Sequence, residues 1–222
     1  MIWEAIQRAK SEKLNLDVIW LDLANAYGSV PHQMIQLRMY HVPEDIQVML
    51  DDYCSGFRMR FSTNNYTTDC ISLEIGIAMG CTISPILFVM AMEVILKAAK
   101  DSAGPSNLGG GCYMPPLKVF MDDTTIICSN EDEARRMLEC IDVLMAWCRM
   151  KFKPKKSRSL SVKKGTIDAT TIFTVANQQI PMVSHEPVKS LGRWYDSSMK
   201  DTKRGLETDF SVDFSTSRYR LR

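Results

Sequence analysis

Three aspartates in this chain are spaced so that they could work together. Asp122 and Asp123 are adjacent and lie between two apolar, β-branched runs, Leu117-Lys118-Val119-Phe120 and Thr124-Thr125-Ile126-Ile127-Cys128. Each run is short enough to be a buried strand, so the acidic pair falls where the chain must turn. Neighbouring carboxylates repel each other and gain little from burial, and a divalent cation is the usual partner for such hard oxygens. Taken alone, the pair is better read as an ordinary hairpin turn, which Asp favours. Asp22 changes that balance. It closes a second apolar run, Leu16-Asp17-Val18-Ile19-Trp20-Leu21, and is followed by a turn leading into a helix, Ala24-Asn25-Ala26-Tyr27-Gly28-Ser29-Val30-Pro31-His32. One carboxylate at the end of a buried strand and two at the tip of another can converge. That is the ligand set for two Mg²⁺ ions about 4 Å apart, the arrangement used in phosphoryl and nucleotidyl transfer.

Five stretches in order carry a family resemblance. Asp22-Leu23-x-x-Ala26-Tyr27 resembles the first catalytic motif of reverse transcriptases, and Phe120-Met121-Asp122-Asp123 resembles their aromatic-x-Asp-Asp motif. Between them, Gly76-Ile77-Ala78-Met79-Gly80-Cys81-Thr82-Ile83-Ser84-Pro85 resembles the glycine-rich loop and helix that meet template and incoming nucleotide. Lys151-Phe152-Lys153-Pro154-Lys155-Lys156-Ser157 resembles the motif with the late lysine, and Ser190-Leu191-Gly192 the small hairpin that grips the primer. The wording is closest to enzymes of non-LTR (LINE-like) retrotransposons and extends over about residues 1–195.

The resemblance implies an α+β polymerase palm, a ferredoxin-like antiparallel sheet with helices packed on one face. Partial fingers, an absent or vestigial thumb and a polar tail at 196–222 go with it. It implies RNA-directed DNA synthesis, in which a DNA primer 3′-hydroxyl is extended with dNTPs on an RNA template, with Mg²⁺ or Mn²⁺ as cofactor. Asp22 and Asp122 would hold both ions, with Asp123 as a further ligand and the Leu23 carbonyl completing the nucleotide-side ion. Lys156 would protonate or neutralise the leaving pyrophosphate. Ala26, Tyr27 and Gly80 would border the nucleotide. The Tyr27 ring would clash with a ribose 2′-OH, and Gly80 would let the backbone approach the base pair. Lys151, Lys153, Lys155, Leu191 and Gly192 would meet the nucleic acid. Without the resemblance, Tyr27 reads as a core tyrosine and Gly80 as a turn glycine.

The chain also departs from the family pattern. Ala78 and Met79 stand where a basic residue and Gln are usual, and a methionine lacks the donors and acceptors of an amide. Gly28 stands where Asp is frequent, and Lys153 where Asn is. Only 21 residues precede Asp22. These features lead us to expect a palm-centred fragment of a larger polyprotein, whose missing fingers and thumb would be its partners. The alternative is a non-catalytic remnant or co-opted nucleic-acid-binding module that keeps the fold.

The elements that must position these residues follow from periodicity. Residues 2–13, 31–42, 43–55, 84–100 and 130–150 read as helices; 84–100 is the clearest, with Leu87, Met90, Ala91, Val94, Ile95 and Ala98 on one stripe. Residues 58–62 and 66–73 read as a hairpin, 101–116 as a loop, and 157–162, 171–176 and 189–195 as strands. At 222 residues and 45% hydrophobic, the chain is one ordinary domain with enough apolar side chain for a core. It contains no apolar run long enough for a membrane span. Seven cysteines at irregular spacing read as reduced, mostly buried thiols of an intracellular protein, with no zinc pattern. The net charge is only +1, yet residues 149–164 hold eight basic residues and no acidic one, which leaves the remainder at −7. Such asymmetry suggests a phosphate-facing patch, although a solvated surface run accounts for it equally well. His32 and His41 read as structural or surface residues.

Overall fold

A computed structural model describes residues 2–35, 42–101, 104–109 and 111–199. Helix α1 (Ile2–Ser11) leads into strand β1 (Leu16–Leu21), a 3₁₀ turn (Tyr27–Ser29), and helices α2 (His32–Ile35) and α3 (Glu44–Ser55). Strands β2 (Arg58–Met59) and β3 (Ile71–Ser72) precede helix α4 (Ser84–Lys100), followed by β4 (Ser106–Asn107), β5 (Tyr113–Met114), β6 (Leu117–Phe120) and β7 (Asp123–Cys128). After helix α5 (Glu131–Trp147) come β8 (Arg158–Lys163), β9 (Thr166–Asp168), β10 (Thr174–Val175), β11 (Gln178–Gln179), β12 (Val188–Ser190) and β13 (Arg193–Tyr195).

The main sheet has the order β6-β7-β1-β8-β9, and every neighbouring pair is antiparallel. All six residues of β1 are buried, so this strand is covered on both faces. Alternation sends Ile19 and Leu21 into one core with Leu87, Phe88 and Ile95 of α4 and Leu138 and Ile141 of α5. Val18 and Trp20 point the other way, into a second core with Ile2, Ile6 and Ala9 of α1 and Leu160, Val162 and Tyr195. The fold is the expected α+β palm, with the two long helices together on one face. The opposite face carries α1 and the β12–β13 hairpin. Helix α5 starts where its sequence says it should: Asn130 Oδ1 accepts a hydrogen bond from the Asp132 N–H at 2.9 Å. Glu131, Asp132 and Glu133 fill the first turn, where negative charge complements the helix dipole. In α4, Pro85 occupies the first turn, where its missing N–H costs no bond.

Several boundaries differ from the sequence reading. The 58–73 hairpin keeps only a two-residue ladder, Arg58–Met59 with Ile71–Ser72, and one further bridge between Ser62 and Thr67. Both strands are exposed, so no buried face supports a longer ladder. The strand expected at 171–176 is only Thr174–Val175, paired with Gln178–Gln179, and periodicity gives no sign of β9. The expected loop at 101–116 holds the small β4–β5 hairpin, tied to the main sheet by the Ser106 hydroxyl donating to the Ile127 carbonyl at 2.6 Å. The helix expected at 31–42 is seen as His32–Ile35, and residues 36–41, including His41, lie outside the described residues. The polar tail from Lys200 onward also lies outside them. All seven cysteines are free, but only Cys54, Cys128 and Cys148 are buried. Among the described residues, no helix is long and apolar enough to cross a membrane.

Candidate active site

Strand β1 delivers Asp22 to one edge of the sheet. Its ladder with β7 ends at Leu21 opposite Thr124, which sets Asp22 one step further, level with Asp123. The pleat puts even-numbered residues of β1 and odd-numbered residues of β7 on one face, as Val18, Trp20 and Ile127 show by sharing the α1-side core. Asp22 and Asp123 accordingly line the same small cleft, of about 70 Å³, together with Lys156, Trp20 and Ser190. Phe120 pairs with Asp123, so Met121 and Asp122 form a two-residue turn, and Met121 adopts the left-handed φ of 55° that such turns require. Asp122 is exposed at the tip. Partial burial, and then the charges of Asp122 and Asp22, hold the Asp123 carboxyl above the usual aspartate range. The three carboxylates therefore sense one another across the turn and the strand end.

The segment with the late lysine is laid against Asp22. The Ala24 N–H donates to the Lys151 carbonyl at 2.7 Å, and the Lys153 N–H donates to the Asp22 carbonyl at 2.8 Å. Leu23 bridges to Phe152, and the Asp22 N–H donates to Ser157 Oγ at 3.1 Å. These bonds split the basic run. Lys151, Lys155 and Lys156 are exposed, and Lys156 lines the cleft. Lys153 turns inward, its Nζ 3.4 Å from Asp22 Oδ1 and 3.3 Å from the Leu23 carbonyl oxygen. Lys163 pairs with Glu131 at 2.6 Å and Asp168 at 3.5 Å, and Arg158 pairs with Glu186. The patch that charge counting suggested is thus narrower than its sequence.

Two observations bear on whether a divalent ion suits this site. Asp22, Asp122, Asp123 and the Leu23 carbonyl offer hard oxygens only, the donor set that Mg²⁺ and Mn²⁺ prefer. Asp22 Oδ1 is buried and, among the described residues, accepts no hydrogen bond; the Lys153 ammonium stands 3.4 Å from it. Among the described residues, no group of three or more His, Cys, Asp or Glu side chains is placed to hold a metal ion by itself. The donors fit a divalent ion that a substrate helps to coordinate.

On the other side of β1, the Tyr27 ring stacks on Phe88 with centroids 5.1 Å apart and planes at 19°, beside buried Ala26. The Tyr27 segment is strapped to the glycine-rich loop. The Gly76 N–H donates to the Val30 carbonyl at 2.7 Å and the Ile77 N–H to the Tyr27 carbonyl at 2.8 Å. His32, read as structural or surface from the sequence, is buried, and its Nε2 donates to the Gly76 carbonyl at 2.7 Å. Gly76 has φ +89°, and a Cβ there would stand 3.1 Å from the Gly28 carbonyl oxygen. Gly80 has φ +87° with nothing within 4 Å of an added Cβ, so it borders open space. Further along, Ser190 pairs with Arg193, and Leu191 and Gly192 make a two-residue turn with φ of 48° and 78°. A larger cleft of about 570 Å³ runs between this hairpin and Asp123, lined also by Trp3, Phe120, Arg193 and Tyr195. Sequence reasoning placed Gly76 and Ser157 inside motifs without a role of their own and missed the hydrogen bond of His32, because no pattern marks a residue that only ties one loop to another.

A family model described as "Reverse transcriptase (RNA-dependent DNA polymerase)" matches residues 2–194. The chain is 25% identical over 201 residues to the "Retrovirus-related Pol polyprotein from type-1 retrotransposable element R2" of Nasonia vitripennis, a match that covers 86% of this chain and 19% of that protein. It is 21% identical over 202 residues to the protein of the same description from Popillia japonica, covering 87% of this chain and 32% of the relative. The chain therefore spans about a fifth and about a third of these two relatives. Motif order, sheet topology and the match over residues 2–194 agree: the chain belongs to the reverse transcriptase family.

Proposed function

We propose that this domain is the catalytic palm of an RNA-directed DNA polymerase, extending a DNA primer 3′-hydroxyl with dNTPs on an RNA template. The observation that carries the reading is the meeting of Asp22, Asp122 and Asp123 at one edge of the central sheet, where burial and mutual charge raise the Asp123 carboxyl. Asp22, Asp122 and the Leu23 carbonyl are the residues that would hold Mg²⁺ or Mn²⁺, with Asp123 beside them. Bound there, the ions would activate the primer hydroxyl and stabilise charge at the reacting phosphorus. Lys156, in the same cleft, would protonate or neutralise the leaving pyrophosphate. Ala26 and Tyr27 border the sugar, and Gly80 gives the backbone room to approach the nascent base pair. Leu191, which lines the larger cleft, and Gly192 in the same turn would position the primer end, while exposed Lys151 and Lys155 would meet phosphates. Fingers and thumb segments of a longer polyprotein would complete the enzyme. Free cysteines throughout are in keeping with an intracellular setting, nuclear or cytoplasmic.

The test is Mg²⁺-dependent primer extension on an RNA template, with the chain alone and with the longer polyprotein that contains it. Asp122→Asn keeps the volume and removes the charge, and it should abolish extension while leaving the fold intact. Extension by the long Asp122→Asn protein at the unmutated rate would refute the assignment.

A further inference from the structure

The ammonium of Lys153 stands against two oxygens with very different duties from those of an ordinary surface pair. Its Nζ is 3.4 Å from Asp22 Oδ1 and 3.3 Å from the Leu23 carbonyl oxygen. Asp22 Oδ1 is buried and, among the described residues, has no hydrogen bond, so this cation is its nearest compensation. The placement is built into the backbone. The Lys153 N–H holds the Asp22 carbonyl at 2.8 Å, its own carbonyl accepts from the Ser157 N–H at 2.9 Å, and Ser157 Oγ in turn receives the Asp22 N–H at 3.1 Å. The bonds fix the Lys153 backbone beside Asp22, and a four-carbon stem brings the point charge to the two oxygens.

We propose that Lys153 is a resident counterion of the metal site. It holds Asp22 and the Leu23 carbonyl in position without a metal, and a divalent cation binds these oxygens only by displacing it. The inference rests on the reading of Asp22 and Leu23 as metal ligands. Its logic is competition: a ligand that must displace an internal partner binds more weakly by the strength of that partner's hold. Lys153 and Asp22 are 41% and 42% exposed in their side chains, so the hold is that of a solvent-screened pair and the penalty is modest. Lys153 is thus a positioning residue that sets the cation concentration at which the site fills. It belongs to the site, unlike Lys151 and Lys155, which face solvent.

The probe is Mn²⁺ alone, with free ion counted by its electron paramagnetic resonance signal, so no turnover is needed. Lys153→Asn and Lys153→Gln keep the backbone N–H that holds Asp22, and the Gln variant keeps most of the stem. Lys155→Asn removes the same charge from an exposed neighbour that does not touch Asp22. At ionic strength near 0.15 M, where charges more than about 8 Å apart are largely screened, both Lys153 variants should bind Mn²⁺ about two- to five-fold more tightly than the unmutated chain. Lys155→Asn should leave the affinity nearly unchanged. Asp22→Asn in the Lys153→Asn background should remove the binding. A lysine that served structure alone would weaken the site when lost, not tighten it. Equal affinity in all lysine variants, or a gain as large in Lys155→Asn, overturns the proposal and leaves the polymerase reading standing. Failure of every variant to bind Mn²⁺ alone overturns the proposal, and leaves standing a polymerase whose ions a substrate helps to coordinate.

Discussion

Asp17 is a carboxylate that the active site does not use, and it sets a measurable cost on the fold. It lies on β1 opposite Cys128 of β7 and Ser161 of β8 and is only 2% exposed; the Ser161 side chain and the Lys163 charge offset only part of the cost of its burial. Burial pushes its carboxyl from 3.8 up to about 6. At roughly 1.36 kcal/mol per pH unit, that difference places the cost of the buried charge near 3 kcal/mol. The sign follows from the direction. Above about pH 6, Asp17 is ionised in both folded and unfolded chains and the whole cost is present. Between about pH 6 and 3.8 the folded chain takes up the proton first, so stability rises as pH falls. Below 3.8 both forms are protonated and the cost is gone. Asp17→Asn keeps the shape and removes the charge, but it leaves a polar amide to be satisfied. The expected gain at pH 7.5 is therefore about 1–2 kcal/mol, or about 2–8 °C in Tm for a chain of this size. Urea unfolding of both proteins at pH 7.5, 6, 5 and 4 reads this directly. The advantage should shrink steadily and be nearly lost at pH 4. A destabilised variant at pH 7.5, or a difference that does not change with pH, would show that Ser161 and Lys163 compensate the buried charge in full.

Other expectations are narrower. Gly76→Ala should cost about 1–3 kcal/mol, because it combines a left-handed φ with a Cβ 3.1 Å from the Gly28 carbonyl oxygen; thermal melts decide it, and a loss below about 0.5 kcal/mol would mean the loop relaxes freely. Gly80→Ala also has positive φ but meets nothing within 4 Å, so it should lose extension activity out of proportion to a stability loss of about 1 kcal/mol. Tyr27→Ala should raise ribonucleotide incorporation relative to deoxynucleotide incorporation, whereas Tyr27→Phe, which keeps the stack on Phe88, should not; equal discrimination in both variants would remove Tyr27 from the sugar pocket. Neutralising Lys151, Lys155 and Lys156 together should reduce the salt slope of primer–template binding by about 0.9 for each phosphate that no longer meets a cation, while neutralising Lys163, already held by Glu131 and Asp168, should leave the slope as it is.

Asp17 and Asp22 show how far the sequence could be read. Both are aspartates in the same apolar run, five residues apart, and neither hydropathy nor propensity separates them. What separates them is the sheet. Asp22 lies just past the last rung with β7 and reaches the cleft, while Asp17 pairs on both sides within the ladder. The central strand was legible because six residues buried on both faces leave a nearly continuous apolar run. The helices α4 and α5 were legible because one face of each is buried, so their apolar residues recur at helical spacing. The 58–73 hairpin was legible but the length of its ladder was not, because alternation in a segment exposed on both faces carries no information about how far pairing extends.

The basic run shows the same limit in the site itself. Eight cations without an acid between them look like one surface, but their partners come from elsewhere in the chain. Glu131 starts α5, Asp168 ends β9, Glu186 lies beyond β11, and Asp22 is more than a hundred residues earlier. Strand β8 carries Arg158 to one end of the sheet and Lys163 to the other, so the two cannot meet the same phosphate. Lys153 is the sharpest case. Related sequences often have Asn at its position, and counting charge assigns it to the nucleic acid. The backbone bonds at Asp22 and the 3.4 Å approach of its Nζ set it beside the carboxylate. A cation placed there relieves the repulsion among three aspartates when no metal is present, and for the same reason it opposes the metal. A site that must both fold without its ions and hold them with substrate gains from a partner that can leave, and a lysine on a flexible stem has that property where a fixed amide does not.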